Sequence, residues 1–437
     1  MTDSHDPSPN DTAPHPPGDT GRRVNDVDYV RRDEALAMLG IKKESLYTYV
    51  SRGLIKTQPE PGKRTSLYRK SDLEKLSTRA GAKAGGTPVA QALRYGEPVV
   101  QTWICDISPA GPHYRGHLAT TLAREGRSLE YAADLLWGGL PPGRDRPWPP
   151  IPDDAAQAVH RLVSHNDQRD FSPIRLLAMA ALHLSTLETA EDTAGRGDVR
   201  MSGVRLISTF AAASGYFGPA SSYQPAGQEE FVAQRLLRGF GLSEGPGHDE
   251  RLAIMNAALV LSIDNELAAP TFCARIASST GVDVHACVAS ALMAQAGPMQ
   301  AGGMMDLGQY LADGLADDNR PAAHAGVPCF GHPLYDRDPR AELLLGMVRD
   351  LPGNDAAKAR LLRLVDAIHQ QAGTYPNLFG ALVILCQVLG LPTSAAVYLH
   401  CVGRTAGWVA HAAEQRLSGV MLRPRARYMG TRPAPSI

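Results

Sequence analysis

The sequence has no apolar run long enough to cross a membrane and no secretory signal at its start. Its longest apolar stretches are LAIMNAALVLSI at 252–263 and LFGALVILCQVLGLP at 378–392, whereas a transmembrane helix needs roughly 20 apolar residues. The opening segment, MTDSHDPSPNDTAPHPPGDT, lacks both the basic start and the apolar core of a secretory signal. We therefore expect a cytoplasmic protein that has no membrane partner.

Cysteine is scarce, and the chain has no cysteine spacing that is typical of a site. The six cysteines are scattered and never form a C-x-x-C pair. Zinc sites and thiol–disulfide sites use such pairs, and disulfide frameworks belong to small secreted domains. We therefore expect reduced thiols and no bound metal ion.

Strand patterns are also scarce. Alternating apolar and polar residues occur mainly in EPVVQTWICDISPAG at 97–111, whereas apolar residues at helical spacing fill segments such as DERLAIMNAALVLSIDNELAA and DAAKARLLRLVDAIHQQ. The composition, 43% hydrophobic and 20% charged, is ordinary for a soluble globular protein. A chain of 437 residues exceeds a single typical core. The sequence therefore predicts an all-α protein of two or three domains, with about fifteen or more helices.

Two segments are too polar or too small-residue-rich to form a core. Residues 1–25 are rich in Pro, Asp, Ser and Thr, and they predict a disordered tail. The stretch RAGAKAGGTP opens a Gly/Ala/Lys segment at 79–89 that predicts a linker. Between them, residues 26–78 form a separate candidate domain.

This N-terminal segment has the pattern of a helix-turn-helix. Ala35, Leu36 and Leu39 lie at helical spacing before Gly40, and Lys43 to Val50 predict a second short helix. PEPGKRTSLYRKSDLEKL then predicts a basic hairpin and a further helix. The unit resembles the MerR/excisionase type of winged helix-turn-helix.

Positive charge is concentrated in the same segment, although the net charge of the whole chain is −1. A local basic patch is typical of phosphate-binding modules. Second-helix residues would face a major groove and flanking residues would hold phosphates. The alternative is a small domain used for docking or dimerisation. The candidate DNA-binding residues are Lys42, Lys43, Ser45, Tyr47, Thr48, Arg52, Lys63 and Arg64.

From about residue 90 onward the chain carries a series of motifs in a fixed order. They are HYRG with LEYAADLLWGG, LVLSIDNELAAPTFCARIASSTG, GPMQAGG, VPCFGHPLYDRDPRA, YPNLFGALVILCQVLGLP, GRTAGWVAHAAEQ and LRPRARYMG. Together they resemble the citrate synthase family. The resemblance implies a helical homodimer whose subunit has a large domain (90–301 and 390–437) and a small domain (302–389), with the active site between them.

The resemblance also implies roles for individual residues. His332 matches the histidine that polarises the ketone of oxaloacetate, and Arg340 and Arg404 match arginines on its carboxylates. Arg423 matches the arginine that the partner subunit contributes. A dicarboxylic or tricarboxylic acid is the implied ligand, and a CoA thioester is the implied co-substrate, with no tightly bound cofactor. The implied CoA contacts are Val327, Gly331 and Asn377.

Three positions depart from the family pattern. Gln300 stands where the family has the histidine that stabilises the enolate oxygen, and Asn265 stands where it has a second substrate-binding histidine. Phe379 stands where the family has the aspartate that removes the proton from carbon. A phenyl ring cannot accept a proton, and losing a positioned base typically costs about 10² to 10⁴ in rate. Asp264 and Asp306, near other cleft segments, are candidate substitutes for the missing base.

Three functions fit these observations. The favoured one is a catalytically impaired binder of an oxaloacetate- or citrate-type acid that acts as a ligand-responsive DNA-binding regulator. The second is an active acyltransferase that condenses an acyl-CoA with oxaloacetate through a substitute base. The third is a pseudoenzyme subunit that lends Arg423 to an active paralogue.

Overall fold

The computed structural model describes most of the chain from residue 100 to 423 and shorter pieces before it. The described residues are 29–39, 43, 46, 50, 55–60, 65–70, 73, 100–138, 143–151, 154–164, 172–187, 199–316, 326–353 and 355–423. The chain divides into two compact units, Met1–Val100 and Gln101–Ile437. The predicted tail at 1–25 and the predicted linker at 79–89 lie outside the described residues.

The first unit combines a helix with a small antiparallel sheet. Its elements are β1 (Tyr29–Val30), α1 (Arg32–Leu39), β2 (Thr57–Pro59) and β3 (Ser66–Arg69), with strand order β1-β3-β2. Helix α1 ends at Leu39, where Gly40 predicted its end, and β2 and β3 form the predicted hairpin. A small core holds the unit together, consisting of Val30, Ala35, Leu46, Ile55, Tyr68 and Leu73.

The second unit begins with a three-stranded antiparallel sheet, of which the alternating segment at 97–111 covers the first strand and the first residue of the second. β4 (Cys105–Ser108) pairs with β5 (Gly111–Tyr114), and β5 pairs with β6 (His117–Leu118). Gly111 closes the first turn at a φ of 120°, a conformation that a residue with a Cβ atom rarely adopts. The buried Tyr114 hydroxyl donates to the carbonyl of Val260, which ties the sheet to the helical core.

Fourteen α-helices follow in the described part of the second unit, so the prediction of a predominantly helical protein is confirmed. None of the helices in the described ranges is long and apolar enough to span a membrane. They are α2 (Ala119–Arg124), α3 (Leu129–Gly138), α4 (Asp154–Ser164), α5 (Pro173–Leu187), α6 (Val199–Ala213), α7 (Val232–Gly239), α8 (His248–Ser262), α9 (Ala269–Ser279), α10 (Val284–Gln295), α11 (Gly303–Ala316), α12 (Pro339–Asp350), α13 (Asp355–Ala372), α14 (Leu378–Val388) and α15 (Thr393–Ser418).

The last helix, α15, is the centre of the core. It is buried on nearly every side from Ala395 to Ala412 and packs against α6, α8, α9 and α14. A helix that is buried all round does not show the single apolar stripe of a surface helix. Polar residues on α15 therefore lie in the protein interior and need partners there.

Two glycines let α15 approach α8 and the residues that follow it very closely. A Cβ atom on Gly403 would lie 2.5 Å from the carbonyl oxygen of Leu259, and one on Gly407 would lie 2.2 Å from that of Ile263. Both distances are too short for any side chain, so the two backbones are in direct contact. Arg404 lies between these glycines in the sequence.

Candidate active site

The loop that carries His332 is fastened to the segment before α14. Gly331 N donates to the carbonyl of Tyr375 at 2.7 Å, and Asn377 N donates to the carbonyl of Cys329 at 2.9 Å. Gly331 has a φ of 81°, in the left-handed region that favours glycine. Two segments more than forty residues apart are thereby joined in a fixed register beside His332.

The residues with predicted CoA contacts lie in or next to this loop. Val327 is buried. The Asn377 amide nitrogen donates to the carbonyl of Gly331 at 2.9 Å, and its oxygen accepts from the backbone of Phe379 at 3.0 Å as the cap of α14. Asn377 therefore orders the loop, and its CoA contact stays a prediction.

Asp338 connects three parts of the site. It caps α12 by accepting from Arg340 N at 3.1 Å, and it also accepts from Leu378 N at 3.0 Å. Its two oxygens hold the Arg340 guanidinium in a fork, at 2.9 Å from Nε and 2.8 Å from Nη2. Burial alone would raise the pKa of Asp338, but Arg340 outweighs it and lowers the pKa below its usual range. An ionised Asp338 therefore fixes Arg340 and the start of α14 together.

We expect Asp338→Asn to lower the free energy of unfolding by about 3–5 kcal/mol, because it leaves the buried Arg340 charge without its counterion. Urea unfolding followed by circular dichroism measures this. Asp336→Asn is the matched control, since Asp336 is two residues away and exposed; it should change stability by less than about 0.5 kcal/mol. Equal losses in the two variants would contradict the role of Asp338.

His332 is a neutral hydrogen-bond donor. Its Nδ1 accepts from Leu334 N at 3.1 Å, so the proton of the neutral ring is on Nε2. Burial lowers the pKa of His332 to about 4, with the Arg340 charge adding to the effect and Asp338 opposing it. Nε2 lies 3.5 Å from Arg340 Nη2. Both atoms are donors, and two donors at one place fit a ligand oxygen that accepts from both.

Arg404 reaches the same region from α15. It is 4% exposed, and its Nη2 donates to the Thr271 hydroxyl at 3.2 Å. His400 lies one helical turn earlier on α15, also 4% exposed. Burial lowers the pKa of His400 well below its usual range, and the charges of Arg404 and Arg340 lower it further. Both arginines therefore act electrostatically on the same buried imidazole.

Phe379 lies in the first turn of α14, beside His400. The two rings make an edge-to-face contact, with centroids 4.7 Å apart and planes at 78°. The position that the family pattern assigns to a carboxylate base is therefore held by an apolar ring against a neutral imidazole. No proton acceptor is present on residue 379 itself.

The two candidate substitutes for that base differ in their surroundings. Asp264 is fully buried, its Oδ2 lies 3.2 Å from His411 Nε2, and its Oδ1 accepts from Glu266 N at 2.7 Å. Burial would raise the pKa of Asp264, but His411 and Arg404 lower it below its usual range. Asp306 is exposed on α11. Asp264 would have to leave its buried contact with His411 to act as a base.

Asn265 and Gln300 occupy the two other positions that depart from the family pattern. The Asn265 side chain is half-buried, and its Oδ1 has no hydrogen-bond partner within the described ranges. Gln300 is half-buried in the π-helical turn Pro298–Gly302 that precedes α11. Each amide retains a donor and an acceptor for a ligand.

Tyr335 is a site residue that the sequence did not reveal. It is 7% exposed, its hydroxyl has no partner among the described residues, and its ring lies 4.7 Å from that of His332. Burial raises the pKa of Tyr335 to about 12. His400 Nδ1 is a second buried polar atom without a partner in that part of the chain. Unsatisfied buried polar groups are costly, and Arg340 acts electrostatically on both residues.

The remaining predicted site residues lie elsewhere or outside the described part. Arg423 is exposed in the last described segment, so its contribution to a partner subunit stays a prediction. Lys43 is a helical residue of the first unit, and it is exposed. The other predicted DNA-binding residues, Lys42, Ser45, Tyr47, Thr48, Arg52, Lys63 and Arg64, lie outside the described residues. No cluster of metal-binding side chains occurs among the residues that the structure describes.

The family model described as "Citrate synthase, C-terminal domain" matches residues 94–425. The chain is 28% identical over 349 residues to a citrate synthase of Haloferax volcanii, covering 72% of this chain and 89% of that protein. It is 24% identical over 353 residues to a 2-methylcitrate synthase of Shewanella oneidensis, covering 75% and 91%.

Solved structures show the same fold. One is a citrate synthase from Thermoplasma acidophilum in a ternary complex with carboxymethyl coenzyme A and oxaloacetate. Its TM-score is 0.64 at 20% identity, covering 78% of this chain and 96% of that one. Another is a citrate synthase from Pyrobaculum aerophilum, with a TM-score of 0.63 at 22% identity, covering 78% and 93%.

Proposed function

The chain belongs to the citrate synthase family, and from that premise we propose that it binds an oxaloacetate-type dicarboxylic acid at His332, Arg340 and Arg404. The observation that carries the proposal is the buried Arg404 guanidinium, whose one hydrogen bond within the described residues goes to the neutral Thr271 hydroxyl. The buried Asp264 carboxylate acts on Arg404 electrostatically, but no hydrogen bond joins the two among the described residues. A buried charge without a hydrogen-bonded counterion is costly, and a ligand carboxylate would supply that hydrogen-bonded partner.

The neighbouring groups suit the rest of such a ligand. Asp338 occupies Nε and Nη2 of Arg340, and Nη1, which Asp338 does not hold, would donate to a second carboxylate. The Nε2–H of neutral His332 suits a ketone oxygen, and the unsatisfied Tyr335 hydroxyl lies beside it. Arginine forks bind carboxylates with defined geometry.

A CoA thioester is the proposed second ligand. The Thermoplasma acidophilum protein of the same fold was solved with a carboxymethyl coenzyme A beside oxaloacetate, and relatives of this chain include both citrate and 2-methylcitrate synthases. Acetyl-CoA and propionyl-CoA are therefore the donors to test. Condensation by way of an aspartate base would be impaired, because position 379 carries a phenyl ring.

The proposed consequence of ligand binding is a change in the protein's affinity for DNA. The first unit supports it with a helix, the β2–β3 hairpin and the exposed lysines Lys43 and Lys56. A ligand can alter DNA affinity only if it binds the DNA-competent state and the other state with different affinities. The acid or the CoA ester would provide that difference.

Two measurements on the full chain test this function. Calorimetric titration with oxaloacetate, citrate and CoA should give saturable binding for at least one acid, and its absence for all would overturn the dicarboxylate proposal. Fluorescence anisotropy with the protein's own upstream DNA, with and without that acid, should show a ligand-dependent affinity. No DNA binding even at low salt would remove the regulatory part alone.

A second candidate is an active condensing enzyme with a substitute base, and the contact between Phe379 and His400 favours it. His400 is a buried, neutral imidazole in ring contact with Phe379, with Nδ1 unpartnered in the described chain. An anionic ligand on the two arginines would offset their charges and make His400 more basic. Thiol release from acetyl-CoA with oxaloacetate at about 1 s⁻¹ or faster, lost in His400→Gln, would establish this candidate.

A further inference from the structure

A row of buried polar side chains lies between α9 and α15, and the proposed dicarboxylate site uses only one end of it. At that end the Arg404 guanidinium of α15 donates to the Thr271 hydroxyl of α9 at 3.2 Å. Arg275 lies one helical turn after Thr271 and is 1% exposed. Residues four apart on a helix share a face, so the same face of α9 carries both contacts with α15.

Arg275 is fastened to the last part of α15. Its Nη1 donates to Glu414 Oε2 at 2.6 Å, and its Nε donates to Gln415 Oε1 at 3.0 Å. Glu414 is itself held, because its other oxygen accepts from Trp103 N at 2.7 Å. The buried charge of Arg275 therefore has a hydrogen-bonded counterion, and these contacts fix the orientation of the guanidinium.

His411 of α15 lies between Arg275 and the turn that follows α8. Its Nδ1 is 3.2 Å from Arg275 Nη1, and its Nε2 is 3.2 Å from Asp264 Oδ2. An arginine only donates hydrogen bonds, so Nδ1 of His411 accepts and the proton of the neutral ring is on Nε2. Arg275 thereby directs the N–H of His411 towards the Asp264 carboxylate.

Asp264 in turn holds the backbone of residues 264–266. Its Oδ1 accepts from Glu266 N at 2.7 Å, and Glu266 has a φ of 59°, in the left-handed region that is unfavourable for a residue with a Cβ atom. Such a conformation persists where surrounding contacts hold it. Burial would raise the pKa of Asp264, but His411 and Arg404 lower it below its usual range. An ionised carboxylate therefore holds the turn, and Asn265 is its central residue.

We propose that His411 is a positioning residue of the acid-binding site, which holds the turn 264–266 through Asp264 and thereby fixes the direction of the Asn265 side chain. The inference rests on the proposed dicarboxylate site. A ligand-binding side chain is effective only when supporting contacts keep it in the productive geometry. Without His411 the turn would loosen, and the acid would lose its contact with Asn265. Arg404 would keep its own contact, because Thr271 holds it independently.

The test is a double-mutant cycle on the full chain, measured by calorimetric titration with oxaloacetate and citrate. His411→Leu should weaken acid binding about tenfold, but by less than about twofold when Asn265→Ala is already present, because both changes remove one contact. His411→Gln can accept from Arg275 and donate to Asp264, so it should bind within about threefold of the unmodified protein. His411→Asn is too short to reach both partners and should behave like His411→Leu. It replaces that variant in the cycle if circular dichroism shows that His411→Leu does not fold.

Tyr398→Phe is the control on the same helix. It removes a buried hydrogen bond to the Phe210 carbonyl, several helical turns before His411, and should leave acid affinity unchanged. Three results would overturn the inference and leave the dicarboxylate site standing: undiminished binding in His411→Leu, an equal loss in His411→Gln or Tyr398→Phe, or a loss that Asn265→Ala does not reduce. No acid binding by the unmodified protein would overturn the proposed site, and this inference with it.

Discussion

Phe379→Asp is expected to raise the rate of thiol release from acetyl-CoA and oxaloacetate by about 10² to 10⁴-fold, the usual contribution of a positioned base. The substitution places a carboxylate in the first turn of α14, beside His400. Arg404 and Arg340 act electrostatically on His400, and nearby positive charge favours the ionised form of a carboxylate. Gln300, a weaker donor than the family's histidine, would still limit the rate. Steady-state assays with acetyl-CoA and propionyl-CoA measure the change.

Phe379→Asn is the matched control for this gain. It has nearly the size and polarity of aspartate but cannot accept the proton, so its rate should stay at the level of the unmodified protein. If the Asn and Asp variants were equally fast, removal of the phenyl ring and not a new base would explain the gain. If neither variant gained, the site would lack the geometry for condensation.

Arg404→Gln is expected to weaken binding of the dicarboxylic acid by roughly 30-fold or more, corresponding to about 2 kcal/mol or more. Its guanidinium is buried and donates to the Thr271 hydroxyl, so a ligand carboxylate would be its principal ionic hydrogen-bond partner. Glutamine retains a donor and loses the charge. Calorimetric titration of oxaloacetate or citrate, together with the ligand-induced shift in Tm, measures the effect.

Arg416→Gln is the control on the same helix. Arg416 lies in the last turn of α15 and donates to the carbonyl of Val282, away from the Arg404 cluster. Affinity for the acid should be unchanged in this variant. Equal losses in both variants would mean that general electrostatic attraction, and not a specific carboxylate contact, accounts for binding.

The helical architecture follows from local patterns in the sequence. Helical spacing of apolar residues predicts the α-helices, and the one alternating segment, at 97–111, precedes and includes β4 at Cys105–Ser108. Gly40 correctly marks the end of α1 at Leu39. Patterns of this kind predict helices and strands because the residues that determine each element are close together in the sequence. The pairing of the His332 loop with Tyr375 and Asn377 joins distant segments, and no local pattern specifies it.

The candidate site was predictable only where a motif covers it. His332 and Arg340 occur in one motif, and the structure brings Nε2 and Nη2 within 3.5 Å. Asp338 could have been found, since an aspartate before Pro339 is a typical helix cap. His400 carries no signal of its own, because its apolar sequence neighbours are typical of a core helix. Tyr335 stands in GHPLYDRDPR, where polar neighbours indicate an exposed turn and not a buried ring.

The close contact of α15 with α8 has a consequence for anyone who redesigns this protein. The backbone of α15 on either side of Arg404 touches carbonyl oxygens at Leu259 and Ile263 where Gly403 and Gly407 lack a Cβ atom. An alanine at either glycine would push the helices apart and carry the guanidinium with them, although neither residue reaches the cleft. A library aimed at new ligands should therefore vary Tyr335 and Asn265 and keep both glycines constant.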